Sequence, residues 1–102
     1  RRCVSETAVT CVMNNGTWGA EAAYQKDFFD GRFIGAHITT PEFDKVAELY
    51  GCKGIKVEKA NEIGDAIQAG LEAECPTVID VKCSPDALYS FRQDSFKHKV
   101  KQ

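Results

Sequence analysis

The stretch "VMNNGTWGAE" concentrates most of the oxygen and turn chemistry in this chain. Asn14 and Asn15 bring two neutral amide oxygens, Thr17 brings a hydroxyl, and a turn through Gly16 exposes backbone carbonyls. Hard dications such as magnesium take oxygen ligands in near-octahedral geometry and often bridge to a bound phosphate. Gly16 permits close backbone approach, and a helix starting just beyond it would favour an anion at its N-terminus. These residues can therefore build part of a magnesium-diphosphate site. On residue types alone, an Asn-Asn-Gly after a strand is more often just a surface turn, because asparagine and glycine are favoured in turns on conformational grounds.

A strand must deliver this turn and a helix must follow it. The run "AVTCVM" is short and rich in β-branched residues, and predicts a buried strand ending at Asn14-Asn15-Gly16. From Gly19, "AEAAYQKDFF" has helix-favouring composition and stops at Gly31. "GRFIGAHI" reads as a loop or mobile connection. "TTPEFDKVAELYG" predicts a helix with Thr40 as cap, Pro41 at the first position and Glu42 in the first turn. Phe43, Val46, Ala47 and Tyr50 would form its apolar face. "GIKVEK" is a short strand. "NEIGDAIQAGLEAE" is an amphipathic helix with Asn61 as cap and Ile63, Ala66, Ile67, Gly70 and Leu71 inward. "PTVIDVKC" is apolar enough to be a central strand. The tail "SPDALYSFRQDSFKHKVKQ" is polar, with room for one helical turn before its basic end.

The resulting order, β-α-α-β-α-β, predicts an α/β fold: part of a doubly wound parallel sheet with helices on both faces. In such sheets ligands bind outside the carboxyl ends of strands, which is where "NNGTWG" stands.

Composition narrows the possibilities. The chain has 102 residues, so it is one domain or a piece of one. It is 43% hydrophobic and 27% charged, ordinary for a globular chain. A net charge of -2 gives no reason to expect nucleic acid or an anionic membrane as partner. No apolar run approaches the roughly 18 residues of a membrane span, and no signal peptide opens the chain. The five cysteines, Cys3, Cys11, Cys52, Cys75 and Cys83, are odd in number and form no CxxC pair. That pattern predicts a reduced, cytoplasmic chain without a disulfide framework or zinc site, with Cys11 and Cys83 acting as small buried hydrophobes. His37 reads as a solvated loop residue, and His98, among Lys97, Lys99 and Lys101, as part of a solvated terminus. Arg32 and Arg92 could bind an anion, or pair with Asp27 or Asp94.

The segment resembles the closing half of the cofactor motif of thiamine-diphosphate enzymes, which opens with Gly-Asp-Gly and ends with Asn-Asn after a strand. "VMNNGTWGAE" is similar to that half in the acetolactate synthase and benzoylformate decarboxylase superfamily. Trp18-Gly19-Ala20-Glu21, Gln25, Asp27-Phe28 and Arg32-Phe33 resemble the sulfoacetaldehyde acetyltransferase family within it. So do "FDKVAELYGCKGIKV", "AIQAGLEAECPTVIDVKC" and "FRQDSF", so that the resemblance covers nearly the whole chain.

The resemblance implies thiamine diphosphate and magnesium as cofactors. Asn15 would give its side-chain oxygen to the metal and Thr17 its backbone carbonyl, while Asn14 supports the loop and Gly16 the close approach. Glu21 and Tyr24, near the start of the next helix with Ala20, would line the substrate side of the cofactor. Without the resemblance, Glu21 is a dipole-favoured first-turn carboxylate and Tyr24 a core residue. Trp18 is expected to pack rather than react. No Gly-Asp-Gly precedes the turn in "RRCVSETAVT", and the activating glutamate of the family comes from a separate domain.

Residues 1–102 are thus expected to be the C-terminal portion of a diphosphate-binding domain, either as a fragment or as one chain of a split enzyme, inactive alone. The expected partners are the remainder of the enzyme, other subunits of a homo-oligomer, and a small anionic substrate. By resemblance the parent reaction takes sulfoacetaldehyde and phosphate to acetyl phosphate and sulfite. Another carboligase or 2-oxo-acid decarboxylase of the superfamily is the alternative enzyme. A non-catalytic α/β module that binds a partner through an unfinished sheet is the alternative outside enzymes.

Overall fold

The computed structural model describes residues 8–89. The elements run β1 (Val9–Asn14), α1 (Gly19–Phe28), α2 (Phe43–Leu49), β2 (Lys53–Val57), one 3-10 turn (Ala60–Glu62), α3 (Ile63–Glu72) and β3 (Thr77–Lys82). This is the order predicted from the sequence. The chain divides into two compact units, with boundaries at Asn14, Thr40 and Cys83.

The first unit carries a three-stranded parallel sheet of order β1-β3-β2, with α2 and α3. β3 is central, as its near-continuous apolar run implies, and Thr77, Ile79, Asp80 and Val81 are buried. Alternation along β3 gives each helix its face. Ile79 and Val81 join Val57 and Ala66 in the core on the α3 side, where full burial of a residue such as Ile79 contributes about 1.5–3 kcal/mol. Gly70 of α3 sits there against Val9 and Thr77. Asp80, on the opposite face, meets the start of α2. The α2 backbone rests directly on β2 at Gly54, where a Cβ would land on the Asp44 carbonyl. Glycine is therefore a packing requirement at this point of "GCKGIKV".

Several local expectations change. Among the described residues β1 has one neighbour in the sheet, Cys11 is exposed and Met13 is 64% exposed; the strand is not a buried one. Cys83 is half-buried and does pack on the core. Thr40 does not cap α2, because its hydroxyl is turned to Asn14. The helix starts at Phe43, whose N–H is satisfied by the Asp80 carboxylate from β3. Asp44, rather than Tyr50, lies on the buried side of α2, and Tyr50 is 82% exposed. Asn61 lies inside the 3-10 turn rather than capping α3, and Leu71 is exposed. In their place Glu62 closes that turn, its carboxylate accepting the backbone N–H of Glu58 and Lys59.

The second unit holds α1 and the loop that returns from it. α1 ends with Phe29 and Gly31 both donating to the Gln25 carbonyl, and Asp30 and Gly31 take φ of 54° and 69°. That left-handed reversal is why the sequence needs a glycine there. The loop is irregular, as expected, yet it is pinned. The Gln25 amide donates to the Ile34 carbonyl at 3.0 Å and accepts the Ile34 N–H at 2.7 Å. Among the described residues no helix is long and apolar enough to cross a membrane.

Candidate functional site

The "NNGT" turn leaves β1 at the carboxyl end of the sheet strand. Asn15 and Thr17 lock each other: the Thr17 N–H donates to Asn15 Oδ1 at 3.0 Å, and the Thr17 hydroxyl donates to the Asn15 carbonyl at 3.1 Å. Gly16, between them, has φ of 64°, a conformation that side chains rarely adopt. The nearest neighbour of a Cβ there would be the Ile38 carbonyl at 3.9 Å, so conformation rather than space demands glycine.

Thr17 then pairs with His37 in a single antiparallel bridge. Its two flanking bonds run from Trp18 N–H to the Ala36 carbonyl at 2.7 Å and from Ile38 N–H to the Gly16 carbonyl at 3.2 Å. They use neither the N–H nor the C=O of Thr17. The bridge thus holds the Thr17 backbone in place while its carbonyl stays outside the pairing. Asn15 Oδ1 also keeps acceptor capacity, since an amide oxygen has two lone pairs and one N–H uses one.

α1 follows at once. Glu21 is exposed in its first turn, and Tyr24 is half-buried with its ring 5.4 Å from that of Phe28. Trp18 was expected to pack, but is 59% exposed; its backbone makes the contacts, its carbonyl accepting the Ala22 N–H at 2.9 Å. His37 is exposed, as expected, with an edge contact to Phe33. Arg32 does not pair with Asp27: its Nε donates to the Phe29 carbonyl at 3.2 Å, at the rim of a hollow of about 360 Å³ lined also by Gln25 and Ile34. Arg92, Asp94 and His98, and Cys3, lie outside the described residues.

Asn14 belongs to the sheet unit and is 5% exposed. Its Nδ2 donates to Asp80 Oδ2 at 3.3 Å and its Oδ1 accepts the Thr40 hydroxyl at 2.9 Å. Asp80 is fully buried; the same Oδ2 accepts the Phe43 N–H at 2.9 Å, and Lys82 Nζ stands 3.6 Å away. Sequence reasoning passed over Asp80. The available signal was an acid inside the otherwise apolar "TVIDV", because a charge in a central strand needs partners to be tolerated. On the surface of this unit Lys56 binds Glu42 at 2.9 Å. The hydrogen bond and the charge of Lys56 hold the Glu42 carboxyl below its ordinary range, and Glu42 raises Lys56 in return.

The oxygens around the turn are neutral, and among the described residues no group of three or more His, Cys, Asp or Glu side chains could hold a metal. The turn suits a hard dication that brings phosphate oxygens with it, supplying part of a coordination shell rather than a whole one.

The fold is an open parallel α/β sheet with an oxygen-rich turn at a strand's carboxyl end, the place where sheets of this class bind ligands. Residues 4–81 match the family described as thiamine pyrophosphate enzyme, C-terminal TPP binding domain, and the chain belongs to that family. Its cofactor is thiamine pyrophosphate, or thiamine diphosphate. The chain is similar to sulfoacetaldehyde acetyltransferase of Castellaniella defragrans, at 30% identity over 99% of this chain and 17% of the relative. A probable acetolactate synthase large subunit of Methanococcus aeolicus is 30% identical over 80% of this chain and 14% of its own length. Acetolactate synthase of Mycobacterium bovis is 34% identical over 74% of this chain and 13% of its own. The chain spans less than a fifth of the length of these relatives.

Proposed function

We propose that these 102 residues are the C-terminal portion of the diphosphate-binding domain of a magnesium-dependent acetyltransferase that takes sulfoacetaldehyde and phosphate to acetyl phosphate and sulfite. The observation that carries this reading is the similarity to sulfoacetaldehyde acetyltransferase over 99% of the chain, "NNGTWG" turn included. Asn15 Oδ1 and the Thr17 carbonyl would hold magnesium, and Gly16 would let the backbone approach the diphosphate. The N-terminal amides of the ten-residue α1 would favour an anion bound at its start. Glu21 and Tyr24 would line the substrate side. When bound, thiamine diphosphate supplies the carbanion chemistry that carbonyl cleavage needs, and the protein supplies binding and orientation. The remainder of the enzyme and further copies of it in a cytoplasmic homo-oligomer would complete the site.

The test is an assay of the full-length enzyme. Release of sulfite with matching acetyl phosphate, dependent on thiamine diphosphate and magnesium, is the expected result. Condensation of pyruvate to acetolactate with no sulfite release would replace this reading by the carboligase one. Absence of any cofactor-dependent turnover would favour a partner-binding module.

A further inference from the structure

We propose that Asp80 is a positioning residue for the Asn15–Thr17 turn, acting through Asn14; the inference rests on reading that turn as part of the magnesium-diphosphate site. Asp80 is fully buried on the central strand, where a polar group needs partners to offset its lost hydration; its Oδ2 has them, while its Oδ1 has no hydrogen-bond partner among the described residues. Its donors come from two other elements, Asn14 at the end of β1 and Phe43 at the start of α2. The carboxylate thereby ties three segments that are distant in sequence.

Its effect on Asn14 is specific. Asn14 turns Nδ2 to the Asp80 Oδ2 acceptor, which leaves Oδ1 facing the Thr40 hydroxyl. The Asn14 carbonyl is held as well, accepting the Cys83 N–H at 2.9 Å. Side chain and carbonyl together fix the orientation of the last residue before Asn15. The point from which the turn departs is therefore set by a carboxylate that need not touch the metal. Partners that orient metal ligands in this way typically change affinity by about 10- to 100-fold when removed.

The experiment measures thiamine diphosphate affinity calorimetrically at fixed, subsaturating magnesium in the full-length enzyme, beside thermal melts of cofactor-free protein. Asp80→Ala and Asn14→Ala should each weaken binding by about 10- to 100-fold. The double variant should be no weaker than the worse single one, since both break one network. Thr40→Val, which removes only the hydroxyl, should shift affinity in the same direction by less, and it decides the matter if Asp80→Ala does not fold. A lowered melting temperature with unchanged affinity of the folded variants would mean that Asp80 only stabilises the sheet, and would overturn the inference. Wild-type enzyme that binds no cofactor would overturn the site reading and this inference with it. Normal wild-type binding beside equally tight variants would overturn this inference alone.

Discussion

The Thr17 amide donates to Asn15 Oδ1 at 3.0 Å while the Thr17 hydroxyl donates back to the Asn15 carbonyl at 3.1 Å. The turn proposed to offer oxygens to a metal is thus closed on itself by its own hydrogen bonds. Its side-chain oxygen is oriented beforehand, so little freedom remains to be lost on binding.

Asn15→Ala removes both the proposed metal oxygen and the acceptor for Thr17. In the full-length enzyme it should raise the magnesium and cofactor requirement by about 10-fold or more. Asn15→Asp keeps an oxygen in the same place and should be milder. Cofactor titrations of the alanine variant that superimpose on wild type would remove Asn15 from the site.

Gly16 has φ of 64°, and the nearest atom to the place a Cβ would take is 3.9 Å away, so the cost of a side chain is purely conformational. Gly16→Ala should destabilise by about 1–2 kcal/mol, and Gly16→Asn by less, since asparagine tolerates the left-handed region. Denaturant melts of the two variants give the order. Equal stability of alanine and glycine here would show that the turn relaxes to another conformation.

Much of the architecture was legible because it is local. The apolar run of "PTVIDVKC" requires a central strand, and the turn residues "NNG" end the first strand where they should. What escaped depends on partners far away in sequence. Thr40 has the composition of a cap, but Asp80, 37 residues beyond Phe43, supplies the acceptor instead and frees Thr40 for Asn14. Tyr50 fits the apolar period of its helix, yet α2 ends at Leu49 and leaves it outside. Cys11 lies in an apolar run, but an edge strand has less to pack against. In the turn, residue types pointed to oxygen ligands, while the two bonds that Thr17 donates to Asn15 and the His37 bridge depend on the folded backbone.

Tyr24 and Glu21 separate packing from catalysis. Tyr24 stacks near Phe28 on one helix face, whereas Glu21 is exposed. If both line the substrate side, Tyr24→Ala and Glu21→Gln should lower turnover with little change in cofactor affinity. A Tyr24→Ala variant that melts earlier but keeps the turnover of its folded fraction would assign the ring to packing alone.

Gly54 makes the opposite kind of demand from Gly16. Its φ lies outside the left-handed region, but the Asp44 carbonyl occupies the space a Cβ would need, and backbone cannot swing away as a side chain can. Gly54→Ala should push α2 off β2 and destabilise by about 3 kcal/mol or more, the upper end of overpacking costs. Because Phe43 begins the same helix and donates to Asp80, the displacement should also weaken that bond. Hydrogen-exchange protection lost first at the Phe43 amide would track it; a variant as stable as wild type would mean that the helix–strand approach is looser than observed.

The 102-residue chain by itself should bind no thiamine diphosphate. Its turn offers magnesium one side-chain oxygen and one carbonyl, both neutral, and the described residues hold no acidic cluster that could add charge. A dication with two neutral protein oxygens keeps its waters, because magnesium dehydrates reluctantly and is usually held through carboxylates and phosphate together. The N-terminus of α1 adds a favourable field for the diphosphate, but a field of about half a charge, screened by salt, does not replace a bridging metal. Among the described residues β1 has no strand on its outer edge and large apolar side chains such as Ile34, at 83%, are exposed, so the chain should self-associate unless a partner covers them. Light scattering and calorimetry on the isolated chain test both statements. The expected result is a concentration-dependent increase in mass and no saturable heat at millimolar magnesium. Mixing with the portion of the proposed enzyme that carries a Gly-Asp-Gly segment should restore cofactor-dependent turnover. Micromolar, magnesium-dependent binding by the lone chain would show that the Asn15–Thr17 turn needs no charged ligand from elsewhere.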